Sequence, residues 1–146
     1  MGTRADFYIG RGKDAQWLAS IAWDGYPEGI EPEGGWKGGH LFKSKTAEQF
    51  KSRLEKYLAG REDVSLPKDG WPWPWDDSRT TDYAYAFDGG KVWAACLGHP
   101  WFNPNNPPED QMAGAKEVEF PNMKDRANVQ FGGSKSGLIV ITAAKP

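Results

Sequence analysis

The alternation of apolar and polar positions predicts a hairpin at the start of the chain. Residues 5–9 combine small, aromatic and β-branched side chains and end at Gly10, which is typical of a short strand. Residues 17–23 alternate with a period of two, which places a set of apolar side chains on one face of a second strand: Trp17, Ala19, Ile21 and Trp23. A helical period also fits part of this segment, but its aromatic and β-branched residues and the Asp24-Gly25 that follows favour a strand.

The same alternation predicts further strands along the rest of the chain. These predicted strands are residues 82–87, 91–96, 117–120, 129–131 and 138–142. Asp88-Gly89-Gly90 favours a tight turn between the first two, which then form a second hairpin. Gly132-Gly133 favours a last hairpin in the same way. The segment Leu138–Ile141 has no polar position, so we expect a central strand that is buried on both faces.

A helical period replaces the alternation between the two predicted hairpins, and it predicts one amphipathic helix over about residues 47–59. Thr46 precedes it as an N-cap, and Gln49 is placed to complete a capping box by reaching back to the cap amide. Gly60 provides a left-handed stop. The apolar stripe that would face a flat surface consists of Ala47, Phe50, Leu54, Tyr57 and Leu58.

Strands around a single helix predict an α+β fold. We expect one domain over residues 1–146, with a mostly antiparallel sheet of about five to seven strands and the helix packed on one face. Three predicted loops, at residues 25–43, 61–80 and 98–114, are longer than is usual for a compact domain. Because they carry five tryptophans, which are costly to expose, we expect these loops to be ordered.

Composition narrows the classes of protein to which the chain can belong. Its 146 residues carry a formal charge of −2, without the basic excess of most nucleic-acid-binding proteins. No apolar run approaches the length of a membrane span, and the first residues lack a signal segment. Cys96 is the only cysteine, which excludes an intramolecular disulfide. We therefore expect a cytoplasmic protein that binds neither membranes nor, directly, nucleic acids.

The chain contains eight tryptophans, an unusually high number for its length. Three of them lie in its most unusual segment, Trp71-Pro72-Trp73-Pro74-Trp75. Each proline stiffens the backbone around its neighbours, so the run presents large rings at low entropic cost. Three interpretations stay open: a lid that packs on the sheet, a contact loop for a protein partner, and a stacking platform for sugars or bases. The candidate partner-binding residues are Trp71, Trp73, Trp75, Trp36 and Trp101.

An enzymatic alternative depends on the scattered carboxylates and on the two histidines. Convergence of one histidine and one carboxylate in a cleft would support a small hydrolase or transferase. The candidates are Asp24, Glu28, Glu31, Glu33, His40 and His99. Among the other acidic residues, Asp76, Asp77 and Asp82 are interpreted as caps of loop structure.

Other known chemistries find little support in the sequence. Cys96 and His99 would need a third group to form a nucleophilic site, and two histidines with one cysteine cannot supply a usual zinc site. The glycine-rich segments at residues 10–13 and 34–40 match neither phosphate-binding signature and are interpreted as turns. The sequence therefore predicts no catalytic residue, no cofactor and no metal.

The opening segment resembles small uncharacterised proteins of bacteriophages, prophages and other mobile elements. The resemblance covers about 30 residues: Gly2-Thr-Arg-Ala-Asp-Phe-Tyr-Ile-Gly-Arg-Gly, then Trp17-Leu18 and Ile21-Ala-Trp-Asp-Gly-Tyr-Pro-Glu-Gly-Ile30. It implies a bacterial or phage setting and carries no catalytic motif. Proteins of this kind often modulate a host machine, and inhibitors of defence systems such as anti-CRISPR proteins are one example. Missing catalytic signatures, single-domain size and the large tryptophan-bearing loops favour a non-enzymatic binding protein, and the resemblance implies a host protein complex as the partner that it modulates. The alternatives are a small enzyme, such as a hydrolase or transferase, or a sugar- or nucleotide-binding module.

Overall fold

Five strands form one mixed sheet in the computed structural model, which describes residues 2–31, 40–105 and 118–124. The strands are β1 (Ala5–Ile9), β2 (Gln16–Ile21), β3 (Val64–Ser65), β4 (Tyr83–Asp88) and β5 (Lys91–Cys96). Their order across the sheet is β3-β2-β1-β4-β5. The helices are α1 (Pro27–Ile30) and α2 (Ala47–Leu58). Strands and one long helix in a single sheet-based unit confirm the predicted α+β class.

Two predicted hairpins are present, and a parallel pair joins them. β1 pairs antiparallel with β2, and β4 pairs antiparallel with β5. Gly89 and Gly90 connect β4 to β5 with φ values of 63° and 83°, a left-handed turn that glycine adopts without strain. β1 and β4 run parallel, with Ala5 opposite Tyr83 and Ile9 opposite Phe87. The starts of β1 and β4 and the ends of β2 and β5 therefore lie at the same end of the sheet.

The register of the first hairpin corrects the predicted face pattern. Phe7 pairs with Ala19, whereas the next residue, Tyr8, pairs with Trp17, so the ladder contains an irregularity at Leu18. An extra residue in one strand reverses the side-chain alternation beyond it. The prediction that Trp17 shares a face with Ala19 is therefore wrong: the two side chains belong to clusters on opposite faces.

Helix α2 begins at a cap close to the predicted one. The Thr46 hydroxyl accepts a hydrogen bond from the Gln49 amide at 3.0 Å. The Gln49 side chain does not reach back to the Thr46 amide as predicted, but accepts from the Lys45 amide at 2.8 Å. Gly60 has a φ of 80°, as expected for a helix stop. Phe50 and Leu54 are buried against the sheet.

Both faces of the sheet are covered. Helix α2 covers one face, where Phe50 lies among the side chains of Phe7, Tyr85 and Phe87. On the opposite face a second cluster contains Tyr8, Ala15, Trp17, Ala84, Ala86, Ala95, Phe120 and Met123, with Trp71, Trp101 and Val118 packed against it. In the described parts of the predicted loops, Trp71 and Trp101 pack on this second face, whereas Ile30, Leu41, Phe42 and Phe102 belong to the cluster on the helix side.

Several predictions about loops and strands need correction or lie outside the described residues. Loop 61–80 contains strand β3 and a 3₁₀ turn at Pro67–Asp69, and loop 25–43 contains α1 and a 3₁₀ turn at Leu41–Lys43. These elements are too short to leave a periodic pattern. The predicted strand 117–120 is wrong for its described residues 118–120, where Phe120 packs as loop on the second face. Residues 129–131 and 138–142 and Trp36 lie outside the described residues.

None of the helices in the described residues is long and apolar enough to cross a membrane.

Candidate functional site

Trp23 is an exposed side chain on a firmly held backbone. Its indole is 46% exposed, and it is the most exposed of the described tryptophans. Its backbone amide, like that of Ala22, donates to the Asp63 carboxylate at 3.0 Å. Its carbonyl accepts a hydrogen bond from the Arg61 guanidinium at 2.8 Å. The chain therefore fixes the backbone that carries this indole and leaves the residue exposed.

The groups that hold Trp23 form a buried ion pair. Arg61 lies 2.8 Å from Asp63, whose side chain is fully buried, and the pairing involves two nitrogens of the guanidinium. Burial alone would raise the pKa of Asp63, but hydrogen bonds from Arg61 and from the Trp23 and Ala22 amides outweigh it, and the pKa is lowered. A charge-assisted, bidentate pair is a rigid support for the backbone that it contacts.

The segment after Trp23 is held equally closely. The Gly25 amide donates to the Thr3 carbonyl at 2.8 Å, and the Gly25 carbonyl accepts from the buried Tyr85 hydroxyl at 2.7 Å. A Cβ on Gly25 would lie 2.7 Å from that of Ala5, so only glycine fits against β1. This anchoring presents Tyr26, which is 41% exposed.

Leu97 completes an apolar surface at this end of the sheet. It follows β5, its amide donates to the Asp82 carbonyl at 3.0 Å, and its side chain is 45% exposed. Trp23, Tyr26 and Leu97 are the large apolar side chains that are exposed among the described residues. All three follow or flank strand ends that the topology brings to the same side. We call these three residues together the apolar end of the sheet.

The backbone at the apolar end adopts an unfavourable conformation at two residues. Asp24 has a φ of 65° and Leu97 a φ of 50°, and they are the non-glycine residues with positive φ in the described part of the chain. A left-handed conformation costs an ordinary L-residue roughly 1–2 kcal/mol. Local strain of this kind tends to accumulate at functional sites, where the surrounding structure enforces it.

Charges around the apolar end are unevenly paired. Arg4 lies 3.6 Å from Asp82, and Arg79 lies 3.1 Å from Asp77. By contrast Asp24 and Glu28 are exposed, and neither forms an ion pair within the described residues. Burial raises the pKa of the Tyr83 phenol to about 12. The negative charge of the Glu28 carboxylate adds to this increase. The apolar end is therefore flanked by two negative charges.

The tryptophan run directs its polar atoms into the protein. The indole nitrogen of Trp71 donates to the Trp75 carbonyl at 2.7 Å, that of Trp73 to Asp6 at 2.8 Å, and that of Trp75 to Thr81 at 2.9 Å. All three rings are half-buried. The sugar- or base-stacking hypothesis requires two exposed, coplanar rings, whereas Trp73 and Trp75 stack on each other at 5.6 Å. This arrangement matches the lid interpretation of the run.

Arg4 links the tryptophan run to the apolar end. Its guanidinium carbon lies 5.8 Å from the ring centre of Trp73 and 5.2 Å from that of Trp75, within cation–π range. Arg4 immediately precedes β1, so the stacked rings lie beside the sheet end that carries Trp23. Trp101 packs separately, 5.4 Å from Phe120 on the second face of the sheet.

Asp6 is the residue on which the tryptophan run is anchored, and sequence reasoning did not identify it. Its side chain is fully buried and accepts hydrogen bonds from Ser20 at 2.5 Å, from Ser78 at 2.5 Å and from Trp73. Burial raises the pKa of this carboxyl, and these hydrogen bonds offset only part of the increase. A single aspartate within an alternating strand pattern left no signal that could have revealed this role.

Two of the groups proposed for an enzyme lie together in the described residues. Glu31 and His40 approach each other to 3.8 Å, and the Glu31 carboxylate also accepts from the Phe42 amide at 2.9 Å. Burial raises the pKa of Glu31. Asp24, Glu28 and His99 follow strands that end on the same side of the sheet, but within the described residues no hydrogen bond or ion pair joins His99 to either carboxylate. Glu33 lies outside the described residues.

Cys96 and His99 do not form a nucleophilic pair. Burial raises the pKa of the Cys96 thiol, and the thiol hydrogen-bonds to Tyr83. A raised pKa keeps the sulfur protonated, which is the opposite of an activated thiolate. The Nδ1 atom of His99 is buried and has no hydrogen-bond partner among the described residues.

Other predicted chemistry is accounted for by local structure. The Asp77 carboxylate accepts from the Arg79 amide at 2.9 Å, as a loop cap does. Gly10 and Gly12 have φ values of 87° and 95° in the turn between β1 and β2. Within the described residues, no group of three or more histidine, cysteine or carboxylate side chains is arranged to hold a metal ion.

Comparison with known proteins finds no matching family model, no similar curated protein and no similar solved structure.

Proposed function

We propose that this protein is a non-enzymatic binding protein, and that it contacts its partner through the apolar end formed by Trp23, Tyr26 and Leu97. The observation that carries the proposal is the combination found at Trp23. The side chain is 46% exposed, yet a buried ion pair bonds both the amide and the carbonyl of the same residue. A residue needed only for packing would have its side chain buried as well.

A fixed backbone below an exposed ring is favourable for binding. Tryptophan and tyrosine dominate the energetics of protein interfaces because each buries a large area with few rotatable bonds. Ordering loops and side chains on association opposes binding, so a segment that is already held loses less entropy. The strained φ of Leu97 is consistent with this role, because the structure keeps an exposed leucine where asparagine or glycine would be more stable.

The tryptophan run takes a supporting part in this proposal. Trp73 and Trp75 lie within cation–π range of Arg4, and Trp71 packs on the second face of the sheet. A direct contact role for Trp71, Trp73, Trp75, Trp36 and Trp101 stays a prediction. From the resemblance of the opening segment to phage and mobile-element proteins, we extend the proposal to a bacterial host complex as the partner whose activity is modulated.

The test is affinity capture from bacterial lysate with wild type, Trp23→Ala and Trp73→Ala, after circular dichroism has shown that each variant is folded. We expect a host complex to be retained by wild type and lost by Trp23→Ala. Lys91→Ala serves as a control, because Lys91 is exposed at the opposite end of β5.

The outcomes separate the contact surfaces. Equal capture of the complex by wild type and Trp23→Ala would contradict the role of the apolar end. If only a folded Trp73→Ala failed to capture the complex, the tryptophan run would be the contact surface instead. A folded wild type that retains nothing would contradict the binding function itself.

A further inference from the structure

We propose that the apolar end recognises a basic segment of a protein partner, whose arginine or lysine side chains lie over Trp23 and Tyr26 and pair with Asp24 and Glu28. This inference rests on the proposed binding function and specifies the chemistry of the partner. It follows from the order of residues in the segment, from its charge balance and from the way this chain already binds its own arginines.

Acidic and aromatic side chains alternate along the segment that forms the surface. Asp24 follows Trp23 directly, and Glu28 lies two residues after Tyr26 in the first turn of α1. The Tyr26 ring lies over Gly29, where an added Cβ would meet it at 3.1 Å and would meet the Asp24 carbonyl at 2.5 Å. The segment is therefore compact, and the two acidic residues lie next to or near the two aromatic residues in the sequence.

The arginines at this end of the sheet form their ion pairs with other carboxylates. Arg61 pairs with Asp63, Arg4 with Asp82 and Arg79 with Asp77. Asp24 also attracts the Arg61 guanidinium electrostatically, but Asp24 and Glu28 are exposed and form no ion pair within the described residues. The apolar end therefore has more carboxylates than ion-paired cations can balance.

Arginine is bound by the same combination elsewhere in this protein. The Arg4 guanidinium lies over Trp73 and Trp75 and pairs with Asp82. The Arg11 guanidinium lies 4.1 Å from the ring centre of Trp93 and 2.9 Å from Asp88. In both places an indole face and a carboxylate bind one guanidinium, which combines cation–π and ionic attraction. Trp23 and Asp24 offer the same pair of groups on the surface.

The charge of the surface selects among partner classes. Phosphate groups of nucleic acids and anionic lipid headgroups would be repelled by Asp24 and Glu28. A basic protein segment with intervening apolar side chains satisfies the carboxylates and covers Trp23, Tyr26 and Leu97 together. Such complementarity adds specificity to an apolar contact and accelerates association.

The test uses two labelled peptides, one in which arginine alternates with leucine and a counterpart in which glutamate replaces each arginine. Binding is followed by fluorescence anisotropy at low and at high salt. We expect wild type to bind the basic peptide and not the acidic one, with an affinity that falls as salt rises. The double variant Asp24→Asn with Glu28→Gln is expected to bind about tenfold more weakly, as two partly exposed ion pairs would predict.

Two variants make the result specific. Asparagine tolerates the left-handed φ of Asp24, so the double variant keeps the backbone of the surface. Glu55→Gln removes one exposed carboxylate from the last turn of α2 and is expected to bind as wild type does. Equal weakening by Glu55→Gln would show general charge attraction and would overturn the inference.

The proposed function and the further inference fail in different ways. In one case, the host complex is captured through Trp23, but the basic peptide does not bind to wild type or binds to the double variant with the same affinity. That result excludes a basic partner and leaves the binding function standing. If Trp23→Ala binds both the basic peptide and the host complex as wild type does, the surface itself is wrong and both proposals fall.

Discussion

Asp6 is the single side chain through which three parts of the chain are joined. It lies on β1, and its donors come from β2, from the tryptophan run and from the segment that precedes β4. A buried carboxylate is expensive unless donors surround it, so this network is sensitive to each of its members. Ser78, 72 residues away in sequence, also hydrogen-bonds to the Tyr8 hydroxyl at 2.6 Å.

The raised pKa of Asp6 predicts a specific pH dependence of stability. The ordinary pKa of this carboxyl, which applies to the unfolded chain, is 3.8. The folded chain therefore retains the Asp6 proton to higher pH than the unfolded chain does. The contribution of the protonated group to stability is therefore complete below that value and is lost as pH rises through the folded pKa. Because Asp6→Asn cannot ionise, we expect wild type to lose stability relative to this variant as pH rises above 3.8.

Urea unfolding of both proteins across that pH range measures the difference. Asp14→Asn, which removes an exposed carboxylate by the same chemical change, corrects for the effect of net charge. A difference that stays constant, or one that increasingly favours wild type as pH rises, would contradict the prediction.

Leu97 offers a second prediction at the residue scale. Asparagine tolerates a φ near 50° better than leucine does, so we expect Leu97→Asn to increase the free energy of unfolding by about 1 kcal/mol. The same change removes an exposed apolar contact and should weaken partner binding. Thermal unfolding and affinity capture measure the two effects. Leu97→Val, which is still apolar but disfavours this φ, should instead reduce stability.

At the scale of elements, α2 and the second hairpin are local structures that their own sequences specify. The α2 cap, its apolar face and its glycine stop all lie within about four helical turns of chain. In the same way, Gly89-Gly90 accepts the left-handed turn that closes β4 on β5. The short elements β3 and α1 are different, because they are stabilised by contacts with distant segments. β3 forms its ladder pairs with Ser20 and Ile21 of β2.

The capping interaction of α2 can be measured directly. Thr46→Ala removes the hydroxyl that accepts from the Gln49 amide, and we expect a loss of about 1 kcal/mol in the free energy of unfolding. Ser52→Ala, an exposed change in the middle of the same helix, should alter it by less than about 0.5 kcal/mol. Equal effects of the two substitutions in urea unfolding would show that the cap does not stabilise the helix.

At the scale of the whole molecule, stability and binding depend on different tryptophans. The half-buried Trp73 donates to the buried Asp6 and supports the cover of the second sheet face, whereas the exposed Trp23 contributes little apolar burial. We expect Trp73→Phe, which keeps a ring but removes the donor, to reduce the free energy of unfolding by about 1–3 kcal/mol. Trp23→Phe, the matched change at an exposed position, should alter it by less than about 0.5 kcal/mol.

Chemical unfolding followed by far-ultraviolet circular dichroism compares these two variants without depending on tryptophan fluorescence. A larger loss for Trp23→Phe than for Trp73→Phe would contradict this division of roles.

The sequence alone determined the features that depend on neighbouring residues. These are the first strand, the two described hairpins, the helix with its Thr46 cap and Gly60 stop, and hence the α+β class. Their signals lie within one element or one turn, where backbone preferences and apolar periodicity act without distant partners. The tryptophan run was also recognisable as stiff and ordered, although its interior role was one of several open interpretations.

Tertiary structure decided the features that depend on partners far apart in the chain. The irregularity at Leu18 moves Trp17 to the opposite face, and the parallel pairing of β1 with β4 brings distant loops to one sheet end. The burial of Asp6 and the anchoring of Trp23 by Arg61 and Asp63 depend on the same long-range packing. The neighbouring sequence of an aspartate or a tryptophan is the same whether the side chain is buried or exposed. Only the folded chain therefore distinguishes a residue that stabilises the core from one on a contact surface.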